Sequence, residues 1–295
     1  MQQALTALWC FQRDQHYIVA DNKVQIVDEF SGRVMPDRSW ERGLHQMIEA
    51  KENCEITGQR STLARITYQR FFRRYLLLCG MTGTAAEVAP ELRRVYDMEV
   101  FKIPTHRPGR QERLKNRCWL TSDERWEAVA ERAIELSLQG RAVLIGTRSV
   151  EASEQLGARF ASRNIDHAVL NARQDSQEAE IVAQAGEPGR ITVATNMAGR
   201  GTDIRLSEEV AKNGGLYVIL TEFHESARID RQLFGRCARQ GKPGTVEALV
   251  CLEDDLFTRY AAGLLLSTRT IAIRRGSVPS SLLNLLVRYA QKVAE

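Results

Sequence analysis

Apolar residues between positions 98 and 257 follow two alternating patterns. Short apolar runs rich in branched side chains predict buried strands, and these runs are AVLIG (142–146), HAVLN (167–171), ITVAT (191–195), LYVILT (216–221) and VEALVCL (246–252). Between them, apolar residues recur at steps of three and four, which predicts amphipathic helices. Short strands that alternate with helices are typical of a parallel sheet with helices on both faces. The pattern therefore predicts an α/β domain over this part of the chain.

Polar residues mark where the helices of this domain begin and end. Thr121 and Glu124 have the spacing of a capping box, which predicts a helix start, and Gly140 predicts its end. Ser149 is predicted to cap the next helix. The buried face of the first helix is predicted to consist of Trp126, Val129, Ala133 and Leu136.

The stretches on either side of this domain have other patterns. Near the start, YIVADNKVQIVDEF contains two β-rich runs separated by Asp21 and Asn22, which predicts a hairpin. A helical segment is predicted to end at Gly80. Its Phe71, Phe72 and Tyr75 are predicted to form a core face, and the alternative is that they stack on nucleic-acid bases. After Asp255 the chain is predicted to be helical, with a break at Pro279. The predicted divisions are 1–58, 59–96, 97–258 and 259–295.

Composition predicts a soluble protein of the cytoplasm. Lys and Arg number 41 against 37 Asp and Glu, and this small excess does not indicate nucleic-acid binding. The six cysteines form no CxxC pair and no Cys/His ligand spacing, so neither zinc nor a disulfide framework is predicted. Apolar runs fall short of the ~20 residues that a membrane span needs, and the first residues lack the basic region of a signal peptide.

Basic residues dominate the last stretch of the chain. Against one acidic residue, Glu295, it carries Arg259, Arg269, Arg274, Arg275, Arg288 and Lys292. This pattern is compatible with a solvated helical tail or with contact to acidic lipids or a partner.

The segment ATNMAGRGTDI (194–204) is the first candidate for binding chemistry. It follows a predicted strand, and its glycines allow a sharp turn and a close approach to a ligand. Nucleotides bind at the carboxyl edge of open parallel sheets, so Asp203 is a candidate contact for a ribose hydroxyl or an ordered water. Arg200, followed by Gly201, is predicted to brace the loop. The alternative is a tight turn that contains an ion pair.

The second candidate segment is ESARIDRQLFGRCARQGKPG (225–244). Gln232, Arg236 and Arg239 follow one another at steps of four and three, which places them on neighbouring parts of a helix surface. Planar guanidinium groups donate bidentate hydrogen bonds to phosphate oxygens, and an arginine supplied across a domain boundary accelerates phosphoryl transfer by roughly 10³–10⁵. The alternative is a solvated basic helix.

A phosphate-binding loop is missing from the 295 residues, since no GxxxxGK[ST] occurs. The run VQIVDE (24–29) resembles a strand that ends in magnesium-binding acids, but without such a loop a structural β ribbon is the favoured interpretation. His45, His106, His167 and His224 have no partner at metal-ligand spacing, so they are predicted to be structural. No metal site is predicted.

Several segments, in order, resemble the SecA family of preprotein translocase motors. They are YIVADNKVQIVDEFSGRVMPDRSWERGLHQMIEAKE (17–52), GMTGTA (80–85), IPTHRP (103–108), NAR (171–173) with EAEIVAQAGEPG (178–189), TNMAGRGTDI (195–204), HES-RID-QLFGR (224–236) and LEDDL (252–256). The resemblance extends to about Tyr260. It implies a RecA-like parallel sheet of the helicase C-terminal type, with a small α+β N-terminal piece and a helical C-terminal tail.

The resemblance also assigns roles to the divisions of the chain. It implies that 1–58 is the end of a preprotein cross-linking domain and 59–96 a returning segment of the first nucleotide-binding domain. It further implies that 97–258 is the second nucleotide-binding domain and 259–295 the start of a helical scaffold.

Ligands and partners follow from the same resemblance. Asp203 is expected to contact ATP, and Arg236 and Arg239 to sense its phosphates, while Arg200 and Gln232 couple them to domain closure. Magnesium is expected to be held by the first domain. The implied partners are preproteins, the membrane protein-conducting channel, a first nucleotide-binding domain or a full-length SecA, and acidic lipids at the inner face of the plasma membrane, with no nucleic acid.

Three hypotheses for function remain open at this point. The first is a partial motor that hydrolyses ATP only with a first nucleotide-binding domain supplied in trans. The second is a non-enzymatic regulator that docks on a full-length motor, and the third is a half-helicase. The chain departs from the family pattern at Ala238, in place of a glycine, and at Lys242, in place of an aspartate. The segment between Ile204 and Gly214 is also shorter than in the family's housekeeping member, which indicates a divergent or accessory member.

Overall fold

A computed structural model describes residues 2–28, 34–35, 37–58, 64–171, 178–195 and 203–294. Its first part contains α1 (Gln2–Trp9), a three-stranded antiparallel sheet of β1 (Tyr17–Ala20), β2 (Lys23–Val27) and β3 (Val34–Met35), and α2 (Leu44–Lys51). Ala20 pairs with Lys23, and Asp21 and Asn22 both have positive φ, of 50° and 59°. A two-residue turn of this kind matches the twist of paired strands, so the predicted hairpin is confirmed. Glu29, the last residue of VQIVDE, lies outside the described residues.

The helix predicted to end at Gly80 is much shorter than expected. It spans only α3 (Tyr68–Phe72), which Thr67 caps by accepting a hydrogen bond from the Arg70 amide. The aromatic rings of Phe71, Phe72 and Tyr75 lie against one another, yet 37–55% of each residue stays exposed. The prediction of a core face was therefore wrong for the described residues. Apolar spacing alone does not show whether another element packs on the rings. A 3₁₀ turn (Ala85–Val88) and α4 (Ala89–Tyr96) follow.

In the described part of the chain, seven parallel strands form the main sheet. They are β4 (Arg110–Arg113), β5 (Arg117–Trp119), β6 (Val143–Thr147), β7 (Ala168–Leu170), β8 (Ile191–Thr195), β9 (Leu216–Leu220) and β10 (Pro243–Cys251). Their order is β4–β10–β9–β6–β8–β7, with β5 continuing along the same edge of β10 as β4. The inner strands are fully buried, which explains their continuous apolar sequences. The predicted RecA-like parallel sheet is confirmed.

Helices cover both faces of the sheet. They are α5 (Ser122–Leu138), α6 (Val150–Ser162), α7 (Glu178–Gln184), α8 (Glu208–Lys212) and α9 (Ala227–Phe234). The predicted capping box at the start of α5 is present, and its four predicted apolar residues are buried. Trp126 and Phe160 belong to the core on one face, and Val218 and Phe234 to the core on the other.

The C-terminal stretch is helical, as predicted. It contains α10 (Asp255–Tyr260), α11 (Ala262–Arg275) and α12 (Ser280–Ala294), and α12 starts directly after Pro279. Leu283 and Leu286 of α12 are buried in the same core as Phe257 of α10, so the tail packs on the sheet domain. No helix in the described part of the chain is long and apolar enough to cross a bilayer.

Candidate functional site

The predicted arginine segment lies at the amino edge of the main sheet. Helix α9 starts beyond the carboxyl end of β9 and runs back against the strands, and Cys237 and Ala238, after the helix, lie against Gly244 at the start of β10 on the opposite edge. Arg239 opens a 3₁₀ turn, Arg239–Gly241, that ends two residues before the start of β10 at Pro243, and Gly244 of β10 pairs with Leu216 at the start of β9. The carboxyl edge was predicted for Asp203, which instead lies on the amino-edge side beside this turn.

An ion pair joins the two candidate segments. The Arg239 guanidinium Nη1 donates to Asp203 Oδ1 at 2.8 Å, and Arg239 Nε donates to the Gly235 carbonyl at 2.8 Å. Both charged side chains are about half exposed, at 44% and 45%. A guanidinium has five N–H donors, so Arg239 keeps donors for an oxyanion while Asp203 holds its orientation.

The other predicted site residues differ in exposure. Arg236 is 9% exposed, and Gln232 on α9 is half-buried. Between the two arginines, Cys237 is buried, and burial raises the pKa of its thiol, which stays uncharged at neutral pH. Arg200 and Gly201 lie outside the described residues. The structure therefore brings together Asp203 and Arg239, with Arg236 buried three residues before Arg239.

The carboxyl edge of the sheet carries its own charged residues. Arg148, after β6, forms ion pairs with Glu222 at 3.2 Å and Glu225 at 2.8 Å. Burial alone would lower the pKa of Arg148, but the two carboxylates outweigh it and raise that pKa. Each charge is neutralised within the fold, which favours a structural role for these residues. The described residues contain no group of three or more side chains that could hold a metal ion.

Comparison with protein families decides the affiliation. A family model described as the SecA P-loop domain matches residues 109–213 and 206–269, more than half of the chain, and the SecA preprotein cross-linking domain model matches residues 1–49. The chain belongs to the SecA family. The resemblance seen in the sequence is thereby confirmed.

Curated SecA relatives match most of this chain. The protein translocase subunit SecA 2 of Nitrosospira multiformis is 58% identical over 88% of this chain, and that of Bordetella avium is 58% identical over 85%. The protein translocase subunit SecA of Chlorobium phaeovibrioides is 46% identical over the whole chain. The chain spans 39%, 38% and 29% of these three proteins, respectively.

The two departures from the SecA pattern have local structural consequences. Ala238 stands where the pattern has glycine, yet it adopts the left-handed conformation, with φ of 57°. Lys242 stands in place of an aspartate, and its Nζ donates to the Leu206 carbonyl at 3.2 Å. The lysine therefore fastens the start of β10 to the segment that carries Asp203, while the alanine adds strain beside Arg239.

Replacing Ala238 by glycine is expected to stabilise this SecA chain. The left-handed conformation costs an L-residue about 1–2 kcal/mol, and the greater freedom of glycine in the unfolded chain offsets part of that gain. We expect a net increase of about 0.5–1 kcal/mol in the free energy of unfolding, measured by urea denaturation. Ala158→Gly, in the exposed middle of α6, is the matched control and should cost about 1 kcal/mol. Equal losses in both variants would contradict strain at Ala238.

A buried polar network between α9 and α12 was not predicted from the sequence. Asp230 Oδ1 accepts from the His224 backbone amide at 3.0 Å and lies 2.7 Å from His224 Nδ1. Gln291 Nε2, on α12, donates to Asp230 Oδ2 at 2.8 Å and to the His224 carbonyl at 3.0 Å. All three side chains are buried. Because Gln291 is distant in sequence, spacing alone does not reveal this network.

Proposed function

We propose that this chain is part of a SecA-type motor for ATP-driven protein translocation and supplies the surface of the second nucleotide-binding domain that closes on ATP. The observation that carries the proposal is the 2.8 Å ion pair between Asp203 and Arg239 at the end of α9. It keeps a planar cation half exposed, oriented and only partly hydrogen-bonded. Such a group suits recognition of phosphate oxygens.

Each site residue then has a separate task. Bound ATP supplies the phosphoryl group and its negative charge. Arg239 donates its remaining N–H groups to the phosphates, and Arg236 adds a second cation from the same segment. Asp203 orients Arg239 and contacts the nucleotide, while Gln232 transmits the closure of the two domains through α9. Arg200 and Gly201 complete the loop in this proposal.

A first nucleotide-binding domain is the required partner for hydrolysis in this proposal. No phosphate-binding loop occurs in the 295 residues, so the triphosphate and its magnesium ion would rest on that other domain. Large exposed apolar side chains in residues 64–103 support such docking, since exposed apolar patches mark interaction surfaces. The most exposed are Leu76, Leu77, Met81, Phe101 and Ile103.

The wider partners follow from family membership. The match of residues 1–49 to a preprotein cross-linking domain supports preproteins as substrates. We propose the membrane protein-conducting channel as the second partner and acidic lipids as contacts of the basic helices at 259–295. The site of action would be the cytoplasm and the inner face of the plasma membrane.

Hydrolysis measurements test this proposal directly. The purified chain is expected to release phosphate from ATP no faster than buffer, and addition of the first nucleotide-binding domain of a SecA relative should produce turnover. Arg236→Ala and Arg239→Ala should each lower that turnover by roughly 10³-fold, since an arginine that stabilises the transferring phosphoryl group contributes about this much. Arg259→Ala, an exposed arginine on α10, should leave the rate unchanged.

Two outcomes would overturn the proposal. Turnover by the chain alone that Arg236→Ala abolishes would show that the first domain is not required. Failure of the mixture to hydrolyse ATP, together with capture of a full-length SecA that is lost on deleting residues 259–295, would favour the non-enzymatic regulator. Binding of single-stranded RNA at low salt would instead favour the half-helicase.

A further inference from the structure

Among the residues that the structure describes, no strand covers the outer edge of β4. The strand pairs with β10 on its other side, with Gly244 opposite Gln111 and Val246 opposite Arg113. The Leu114 amide donates to the Val246 carbonyl at 2.9 Å, so alternate residues of the strand face β10. The backbone N–H and C=O groups of Gln111 and Arg113 therefore point outward. An edge of this kind is a template for pairing with another strand.

A groove of about 730 Å³ runs beside this edge. One wall is β4 with the residues that follow it, and the other is formed by α9 and α12. Phe223, Phe234 and Val287 give it an apolar, buried floor. At one end α12 closes the edge, since Ser280 Oγ donates to the Asn116 carbonyl at 3.3 Å and Asn116 Nδ2 donates to Asn284 Oδ1 at 3.0 Å.

The groove has an excess of positive charge. Arg113, Lys115 and Arg288 line it, and none of them forms an ion pair with a described carboxylate. Asp230 is the one carboxylate among the described residues of the lining, and it already accepts hydrogen bonds on both oxygens. Arg231 also lines the groove and is paired with Glu87 outside it.

Side chains along β4 and the two residues after it have the spacing of a strand face. Gln111, Arg113 and Lys115 all line the groove, and they stand at every second position, while Arg110 and Glu112 belong to the opposite face. The Arg113 guanidinium lies over the Phe234 ring at 5.2 Å, and Gln111 Nε2 donates to the Phe234 carbonyl at 2.8 Å. The wall of the groove is thus held in place by α9, with charged groups left for a ligand.

We propose that β4 and this groove bind an extended acidic segment of a partner polypeptide by strand addition. The backbone of the segment would pair with Gln111 and Arg113. Its acidic side chains, at alternate positions, would meet Arg113 and Lys115 on one wall and Arg288 on the other. Backbone pairing gives affinity in this mode of recognition, and the side-chain pockets give specificity. The proposal does not depend on nucleotide binding by the chain.

Fluorescence anisotropy with synthetic peptides tests the proposal on the full 295-residue chain. The probe is a short fluorescein-labelled peptide in which glutamate alternates with valine. We expect it to bind, and Arg113→Glu/Lys115→Glu to weaken binding by about tenfold or more through charge repulsion. The matched control is Arg110→Glu/Arg259→Glu, which changes the net charge equally and should shift the affinity by less than about twofold.

Further probes separate strand addition from simple charge attraction. A peptide of the same sequence with an N-methyl group on every backbone amide has no N–H to donate to β4 on either edge and should bind about tenfold more weakly. Equal binding of the two peptides would overturn the proposal, as would equal weakening by both double variants. Displacement of the peptide by phosphatidylglycerol vesicles at matched charge would overturn it in favour of an acidic lipid surface. Should the β4 variant fail to fold by circular dichroism, Arg288→Glu on α12 provides the same test from the opposite wall.

Discussion

Replacing Arg125 by alanine is expected to lower the free energy of unfolding by about 3–5 kcal/mol, the usual cost of breaking a buried ion pair by removing one partner. Arg125 Nη1 donates to Asp254 Oδ1 at 2.6 Å and to the Thr221 carbonyl at 3.1 Å, and Nη2 donates to Ser122 Oγ at 3.0 Å. Arg125 and Asp254 are only 5% and 4% exposed. The variant would leave a buried carboxylate without its cation.

A surface pair and a double variant control this measurement. Arg159 pairs with Asp123 at 2.7 Å, but the Asp123 side chain is 90% exposed, so Arg159→Ala should cost less than about 1 kcal/mol. Arg125→Met/Asp254→Leu should be less destabilised than Arg125→Ala, because no unpaired charge remains buried. Similar losses for Arg125→Ala and Arg159→Ala in urea denaturation would contradict a structural role for the buried pair.

The loss in the free energy of unfolding caused by Arg125→Ala should also depend on pH. Burial and the Glu222 carboxylate raise the pKa of Asp254, and Arg125 opposes them. The pKa of Asp254 is raised in both chains but rises further without Arg125, so the folded variant gains more stability from proton binding than the unmodified chain does as pH falls. The difference from the unmodified chain should therefore be smaller at about pH 5.5 than at about pH 8.

Replacing Gly215 by alanine is the second change with a large expected effect. Gly215 leads into β9 with φ of 74°, and a Cβ atom there would lie 1.9 Å from the Pro243 carbonyl oxygen at the start of β10. The left-handed conformation and the steric overlap act together, so we expect a loss of about 2–5 kcal/mol in the free energy of unfolding. This loss is measured by urea denaturation with circular dichroism as the signal.

Gly276 provides a matched comparison. It has nearly the same φ, 71°, but a Cβ atom there would meet nothing within 4 Å. Gly276→Ala should therefore cost only the conformational term of about 1–2 kcal/mol. Equal losses in the two variants would show that the contact with Pro243 relaxes without cost and would contradict the expected overlap.

The inner part of the fold was predictable because its signals are local. Strands β6, β8 and β9 are continuous apolar runs, and burial on both faces requires such sequences. The start of α5 was predictable from Thr121 and Glu124, since a capping box satisfies backbone donors within four residues. Local chemistry alone determines these features.

The edge strands β4 and β5 were not predictable from apolar patterning. Their sequences, RQER and RCW, are mostly polar because β4 is exposed along its length. The length of α3 was overestimated for the opposite reason. Its apolar spacing predicted a long helix, but the spacing does not show whether another element packs on the apolar side chains. The type of element can be predicted from the sequence where the element is fully buried, and the prediction fails where the element is largely exposed.

The geometry of the candidate site was predictable only in part. The sequence predicts Asp203 and Arg239 as site residues in two separate segments, and the fold joins them. Their location at the amino edge depends on the direction of α9 across the sheet, and the link to Gln291 depends on the packing of α12. Both are tertiary features that residue spacing does not specify. The nucleotide-contacting roles of these residues remain predictions.

The hydrogen bonds of Gln291 connect α12 to Asp230 on α9 and to His224 just before it. Pulling α12 away from α9 would remove the amide from Asp230 Oδ2 and leave a charged oxygen buried without that donor, which is costly. The two helices should therefore travel as a rigid unit, and any bending between them and α11 should concentrate at Gly276, whose open surroundings permit rotation. A force applied to the end of α12 would therefore be transmitted through α9 to the turn that contains Arg239.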